Sequence, residues 1–114
     1  MTRVFKVLPA ADWEAALARG QFDGAAVDLA DGFIHLSAAD QVAETLRRHF
    51  AGQGGLVLVA FEADALGPDL KWEPSRGGAL FPHLYGALPT ATAGEVSQLP
   101  LNADGDFDLN GLDL

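Results

Sequence analysis

The side chains in this sequence that are best suited to chemistry fall in three short stretches. Lys6 lies in the first, His35 and Ser37 lie in the second, and the third covers residues 72–85. A histidine exchanges a proton near neutral pH, and a lysine ammonium attracts anions. If folding brings the three stretches together, these residue types would let the protein bind a polar ligand or transfer a proton.

The third stretch combines a carboxylate, cations and aromatic rings. Residues 71–74 read Lys-Trp-Glu-Pro and predict a short strand, and the loop after this strand carries Arg76. Active-site groups are commonly mounted at a strand end beside such a loop. Residues 81–86, Phe-Pro-His-Leu-Tyr-Gly, add a histidine and the only tyrosine. An aromatic cluster with a surface ion pair between Glu73 and Lys71 or Arg76 is an equally open alternative.

The second stretch places two polar side chains on one face of a strand. Residues 33–37 read Phe-Ile-His-Leu-Ser, and the two-residue period of a strand puts His35 and Ser37 on the same side. Such side chains must either be hydrogen-bonded inside the protein or face a cleft. For His35 both alternatives stay open. Ser37 precedes Asp40 by three residues, as in a helix-capping box, so a capping role is the alternative for Ser37.

Two metal-binding patterns are weak. Residues 106–111 read Asp-Phe-Asp-Leu-Asn-Gly, like the start of a calcium-binding EF-hand loop, but the sequence ends at Leu114, before the glutamate that such a loop requires. We therefore expect a solvated acidic tail. The three histidines, His35, His49 and His83, lack close ligand spacing, and the chain has no cysteine, so we expect no metal site.

The elements that must hold these residues follow from periodicity and turn residues. Strands are predicted at 3–8, 33–37, 56–61, 70–73 and 95–99. One helix is predicted from Asp12, as its N-cap, to Gly20, and a second follows Ser37 and stops at Gly52. Residues 21–31 show no period and predict a loop. This order of elements favours an α+β fold with a mixed sheet.

Length and composition indicate one small domain. The chain has 114 residues, of which 49% are hydrophobic, and this is enough to bury one core. We expect a single domain over residues 1–101 and a flexible acidic tail over residues 102–114. The formal net charge is −9. Four of the acids lie in the tail: Asp104, Asp106, Asp108 and Asp113.

Charge and hydropathy argue against two classes of partner. Nucleic-acid-binding proteins usually present a basic stripe, whereas here 7 scattered bases stand against 16 acids. No apolar run approaches the ~20 residues of a membrane span, and the N-terminus lacks the pattern of a signal peptide. We therefore expect a cytoplasmic protein that binds neither nucleic acid nor a membrane.

Five segments together carry a resemblance to a bacterial family. They are Val-Phe-Lys-Val at 4–7, Ala-Asp-Trp at 11–13, Gly-Phe-Ile-His-Leu-Ser at 32–37, Lys-Trp-Glu-Pro at 71–74 and Leu-Phe-Pro-His-Leu-Tyr-Gly at 80–86. Over about residues 3–99 the sequence resembles the family catalogued as domain of unknown function 952. The resemblance implies an ADP-ribosyltransferase-like fold, in which mixed or antiparallel sheets and two main helices enclose a cleft that grips NAD.

The resemblance also implies roles for individual residues. Glu73, His35 and His83 would serve catalysis, because breaking the nicotinamide–ribose bond builds positive charge on the sugar. The nucleotide would be contacted by Lys6, Ser37, Trp72, Arg76, Phe81 and Tyr85. The first strand of this family typically reads Tyr-His, whereas here it reads Phe5-Lys6. Glu73 also does not lie on the last strand, where such a transferase carries its acid.

Three functions remain open on these grounds. The first is an enzyme that hydrolyses NAD or a related nucleotide or transfers its ADP-ribose, with NAD as a substrate and no resident cofactor. The second is a small-ligand-binding module without chemistry, and the third is a protein-interaction domain. The first two functions are favoured if four side chains converge in one concave pocket: His35, Glu73, His83 and Tyr85.

Overall fold

The computed structural model describes residues 2–112 and 114, and the side chain of Arg76 lies outside the described part. Four helices form in these residues: α1 (Ala10–Arg19), α2 (Ala26–Asp31), α3 (Val42–His49) and α4 (Ala63–Leu66). The strands are β1 (Arg3–Pro9), β2 (Gln21–Phe22), β3 (Ile34–His35), β4 (Ser37–Ala38), β5 (Leu56–Glu62), β6 (Leu70–Pro74), β7 (Leu80–Leu84), β8 (Leu88–Pro89) and β9 (Ala93–Gln98). The predicted α+β class is confirmed. Every pairing between these strands is antiparallel, so the mixed sheet predicted from the sequence is not found in the described residues.

The strands form three sheets, with the orders β4-β1-β5-β9, β3-β7-β6 and β2-β8. The chain crosses from the second of these sheets to the first at Leu36. The N–H of Leu36 donates to the carbonyl of Pro82 at 3.0 Å, on the β7 side, whereas Ser37 pairs with Phe5 of β1. The continuous strand predicted over residues 33–37 is therefore wrong. His35 and Ser37 belong to two different sheets.

The alternation of β1 divides the hydrophobic core into two clusters. Val4 and Leu8 pack in the cluster that includes α1, and Phe5 and Val7 pack in the cluster that includes α3. This follows from the two-residue period of a strand whose faces are both covered. Lys6 falls on the same side as Val4 and Leu8, so its side chain points into the protein interior.

The helices differ from the sequence prediction in three places. Residues 21–31 form β2 and α2 instead of a loop; α2 buries only Asp28, so it has no apolar period to detect. α1 begins at Ala10, directly after Pro9, and not after Asp12. Ser37 makes no capping hydrogen bond, because its hydroxyl lies 2.8 Å from that of Thr45. Among the described residues, no helix has the length and apolarity needed to cross a membrane.

The C-terminal segment contacts the core, although the sequence predicts a flexible tail. Phe107, Leu109 and Leu112 are partly buried against the α3 cluster, and Leu101 forms an isolated bridge with Phe107. We expect Phe107→Ala to lower the free energy of unfolding by about 1–2 kcal/mol, a part of the cost of a fully buried phenylalanine. Urea unfolding measures this, with Asn110→Ala, exposed in the same segment, as the control. Equal stabilities of the two variants would support a flexible tail.

Candidate functional site

A cleft of about 540 Å³ opens between β1, α2, α3 and the β3-β7-β6 sheet. Pockets that bind small molecules typically measure ~300–1,000 Å³. Five residues predicted from the sequence line the cleft: Lys6, His35, Ser37, Phe81 and His83. Two further predicted residues do not line the cleft but are connected to it: Glu73 is hydrogen-bonded to His83, and Tyr85 donates a hydrogen bond to Glu73.

The register of β3, β7 and β6 determines which predicted side chains lie on the same face of their sheet. His35 is paired with His83, and Glu73 is paired with Phe81, so these four side chains lie on one face of the sheet. Trp72 lies on the opposite face of β6 and is not among the residues that line the cleft. The structure thus brings Phe81 to the cleft, but not Trp72. The side chain of Arg76 lies outside the described residues.

His83 is held by a carboxylate on the neighbouring strand. Glu73 Oε1 lies 2.9 Å from His83 Nδ1 and accepts the hydroxyl hydrogen of Tyr85 at 2.7 Å. The hydrogen bonds from Tyr85 and His83 lower the pKa of Glu73. The bond between Tyr85 and Glu73 also raises the pKa of Tyr85. Glu73 is therefore ionised at neutral pH. In the neutral ring, an ionised acceptor at Nδ1 favours the tautomer that carries its proton there, and the lone pair is then on Nε2.

The second ring nitrogen of His83 has no protein partner among the described residues. His83 is only 6% exposed, and its ring stacks on Phe33 with the ring centroids 4.1 Å apart. Within the described residues, no hydrogen bond reaches Nε2, and no buried side-chain nitrogen or oxygen lacks a partner, so solvent reaches Nε2. A fixed imidazole with one open nitrogen can accept a proton from a bound molecule or from water.

Asp28 connects α2 to the two strands beside it. Its carboxylate accepts hydrogen bonds from the N–H of Ala25 at 2.8 Å and of His35 at 3.0 Å, and it lies 2.6 Å from His35 Nδ1. Burial raises the pKa of Asp28, but Lys6 and these donors outweigh burial, so the pKa lies below its ordinary value. Asp28 is thus an ionised, buried anchor that fixes the ring of His35.

The ammonium group of Lys6 is engaged inside the protein. It lies 3.2 Å from Asp28 Oδ2 and donates to the carbonyl oxygen of His35 at 3.0 Å. Burial lowers the pKa of Lys6, and the attraction of Asp28 opposes that effect. Lys6 lines the cleft, but these contacts give it the role of joining β1, α2 and β3.

The backbone N–H and C=O of Val7, on β1, also lie on the side of the strand that borders the cleft. β1 pairs with β5 along its whole length, but its pairing with β4 ends at Phe5. The N–H of Ala63 donates to the carbonyl of Thr2 at 2.8 Å, so the even-numbered residues of β1 direct their peptide groups towards β5. The N–H and C=O of Val7 therefore point to the opposite edge, and Val7 lines the cleft.

Residues of the site that were not predicted include Asp28 and Asp31, which line the cleft, and Phe33, which stacks on His83. A signal exists for Phe33, because it precedes His35 by two residues and the period of a strand places it on the same side; its ring centroid lies 4.6 Å from that of His35. Asp28 and Asp31 stand three residues apart, as on one side of a helical turn. That spacing, with the helix-favouring alanines and Gly32 after the last turn, could have indicated α2, but the segment is short and lacks an apolar period.

Comparison with known proteins places this chain among uncharacterised relatives. A family model described as "Protein of unknown function (DUF952)" matches residues 7–96. The crystal structure of protein CC0527 from Caulobacter crescentus is similar, with a TM-score of 0.91 and 56% sequence identity over 95% of this chain and 95% of that chain. The solution NMR structure of CC0527 gives a TM-score of 0.85 and 56% identity over 96% of this chain and 94% of that chain. No curated protein matches this chain.

Proposed function

This chain belongs to the DUF952 family of proteins of unknown function, and on that premise we propose that its cleft binds NAD or a related nucleotide and hydrolyses or transfers the ADP-ribose. One observation carries the proposal: His83 lines a cleft of about 540 Å³ and is held by Glu73 at Nδ1, while its Nε2 has no hydrogen-bond partner among the described residues. Two sheets that hold such a cleft are also what the ADP-ribosyltransferase-like fold would provide.

The cleft offers complementary groups to the nicotinamide part of NAD. A primary carboxamide carries one acceptor and two donor hydrogens. The N–H and C=O of a single strand residue can pair with such a group, and Val7 presents both at the unpaired edge of β1. Phe81, which lines the same cleft, supplies an aromatic face for a flat heterocycle.

The proposed hydrolysis assigns one step to each group. The bond between the nicotinamide nitrogen and ribose C1′ breaks, and its electron pair goes to the nicotinamide. The ionised carboxylate of Glu73, one hydrogen bond behind His83, supplies negative charge that favours the cationic sugar that forms. Water attacks C1′, and His83 Nε2 takes the released proton. The products are nicotinamide, ADP-ribose and one proton; in transfer, a hydroxyl of an acceptor replaces the water.

A second candidate function is a ligand-binding module that lacks chemistry. The observation that favours it is the state of Lys6, whose ammonium is bound by Asp28 and by the carbonyl of His35. On this reading, Lys6 of β1 stabilises the fold and does not contact a nucleotide. Nicotinamide release distinguishes the two functions, because a binding module takes up NAD without consuming it.

Thermal unfolding with and without ligand tests the binding step. We expect millimolar NAD or ADP-ribose to raise the Tm, by roughly 10 °C when the ligand is at 100 times its dissociation constant. The shift should be lost in His83→Ala and retained in Asp64→Asn, a control on α4 that lies away from the cleft. An unchanged Tm of the wild-type chain with NAD, ADP-ribose and nicotinamide would contradict nucleotide binding.

A further inference from the structure

The two nitrogens of His35 have carboxylate partners of very different kinds. Nδ1 lies 2.6 Å from Asp28, whose side chain is 1% exposed, and Nε2 lies 2.9 Å from Asp31, whose side chain is 48% exposed. The buried partner also binds Lys6 and two backbone N–H groups, so it is fixed. The exposed partner is the last residue of the six-residue helix α2.

The contact between His35 and Asp31 is the weaker of the two and can be exchanged. Exposed ion pairs contribute only ~0–1 kcal/mol, because water solvates both groups after separation. Asp31 and His35 both line the cleft, so a molecule in the cleft reaches the same Nε2, which donates a hydrogen bond when both ring nitrogens carry a proton. When the side chain of Asp31 turns into solvent, His35 Nε2 loses this partner and can bind a molecule in the cleft. Asp28 still holds the His35 ring at Nδ1.

We infer that His35 Nε2 is a binding subsite for an anionic oxygen, of the kind that a phosphate or a carboxylate carries, and that Asp31 occupies this subsite in the absence of ligand. Asp31 thus acts as an internal competitor that selects for ligands with a strong anionic acceptor. If the proposed function holds, the subsite takes a phosphate oxygen of the nucleotide. This inference deepens that function, but its test does not depend on NAD.

The test is a titration of the protein with inorganic phosphate, and separately with acetate, at constant ionic strength. Long-range ¹H–¹⁵N NMR spectra follow the imidazole nitrogens of His35. We expect Asp31→Asn to lower the midpoint concentration of the preferred anion by about fivefold, because the competing charge is removed. Asp64→Asn removes the same charge from α4, away from the cleft, and should keep the midpoint of the wild-type chain.

Two outcomes would overturn the subsite. One is an equal midpoint for the wild-type chain and Asp31→Asn, and the other is the absence of any response of the His35 ring to both anions. Inorganic phosphate contains neither ribose nor a base, so failure of NAD to bind or react would remove the proposed function and leave this subsite intact. Conversely, equal midpoints in a chain that still binds NAD would remove the subsite alone.

Discussion

Asp28→Asn is expected to lower the free energy of unfolding by about 3 kcal/mol. Asp28 is 2% exposed and lies 3.2 Å from the ammonium of Lys6, so the substitution leaves a buried lysine without its counter-ion. Removal of one partner from a buried pair typically costs ~3–5 kcal/mol, and the asparagine oxygen keeps a part of the hydrogen bonding. Urea unfolding at neutral pH measures the change.

A double-mutant cycle with Lys6→Met separates the ion pair from other effects of the substitution. We expect the double variant to cost less than the sum of the two single variants, because no unpaired ammonium remains. Additive costs would show that the pair does not contribute. The pKa of Asp28 lies below its ordinary value of 3.8, so its contribution to stability is complete above that pH and is lost as the pH falls through the folded-state pKa.

Glu73→Gln is expected to reduce nicotinamide release from NAD by about 100-fold or more. The glutamine oxygen still accepts a hydrogen bond from Tyr85, but it lacks the charge that stabilises the sugar cation and fixes the tautomer of His83. General acid–base groups contribute ~10²–10⁴ in rate. A chromatographic assay of nicotinamide measures the reaction.

The matched control is Glu95→Gln, which removes a carboxylate from β9, in a different sheet from His83 and Glu73. This variant should release nicotinamide at the rate of the wild-type chain. If Glu73→Gln binds NAD normally and also keeps that rate, Glu73 has no catalytic role. If the wild-type chain binds NAD and releases no nicotinamide, the protein is a binding module.

The sequence predicted those parts of the fold that have a strong local pattern. β1 and β5 carry dense runs of β-branched and aliphatic residues, and both lie where they were predicted, to within one residue. The resemblance to the family is confirmed over residues 7–96. His35, His83 and Phe81 line one cleft, although β7, which carries two of them, was not predicted as a strand.

The parts that were not predicted depend on tertiary contacts. α2 is a short helix whose single buried residue is an aspartate, so the hydrophobic period gave no sign of it. Asp28 of this helix is bound by Lys6, which is 22 residues away in the chain, and no local rule pairs these two residues. The break at Leu36 depends on a hydrogen bond to Pro82 of another strand. Contacts between residues so far apart in the sequence are set by the whole fold and not by neighbouring residues.

Backbone NMR spectra of the ¹⁵N-labelled chain, recorded during a titration with NAD, test nucleotide binding in the cleft most directly. We predict that the amide signals of Val7, Asp31 and His83 shift together and saturate at one dissociation constant, because all three residues line the cleft. Unchanged spectra at millimolar NAD, or shifts confined to residues outside the cleft, would contradict the proposed site.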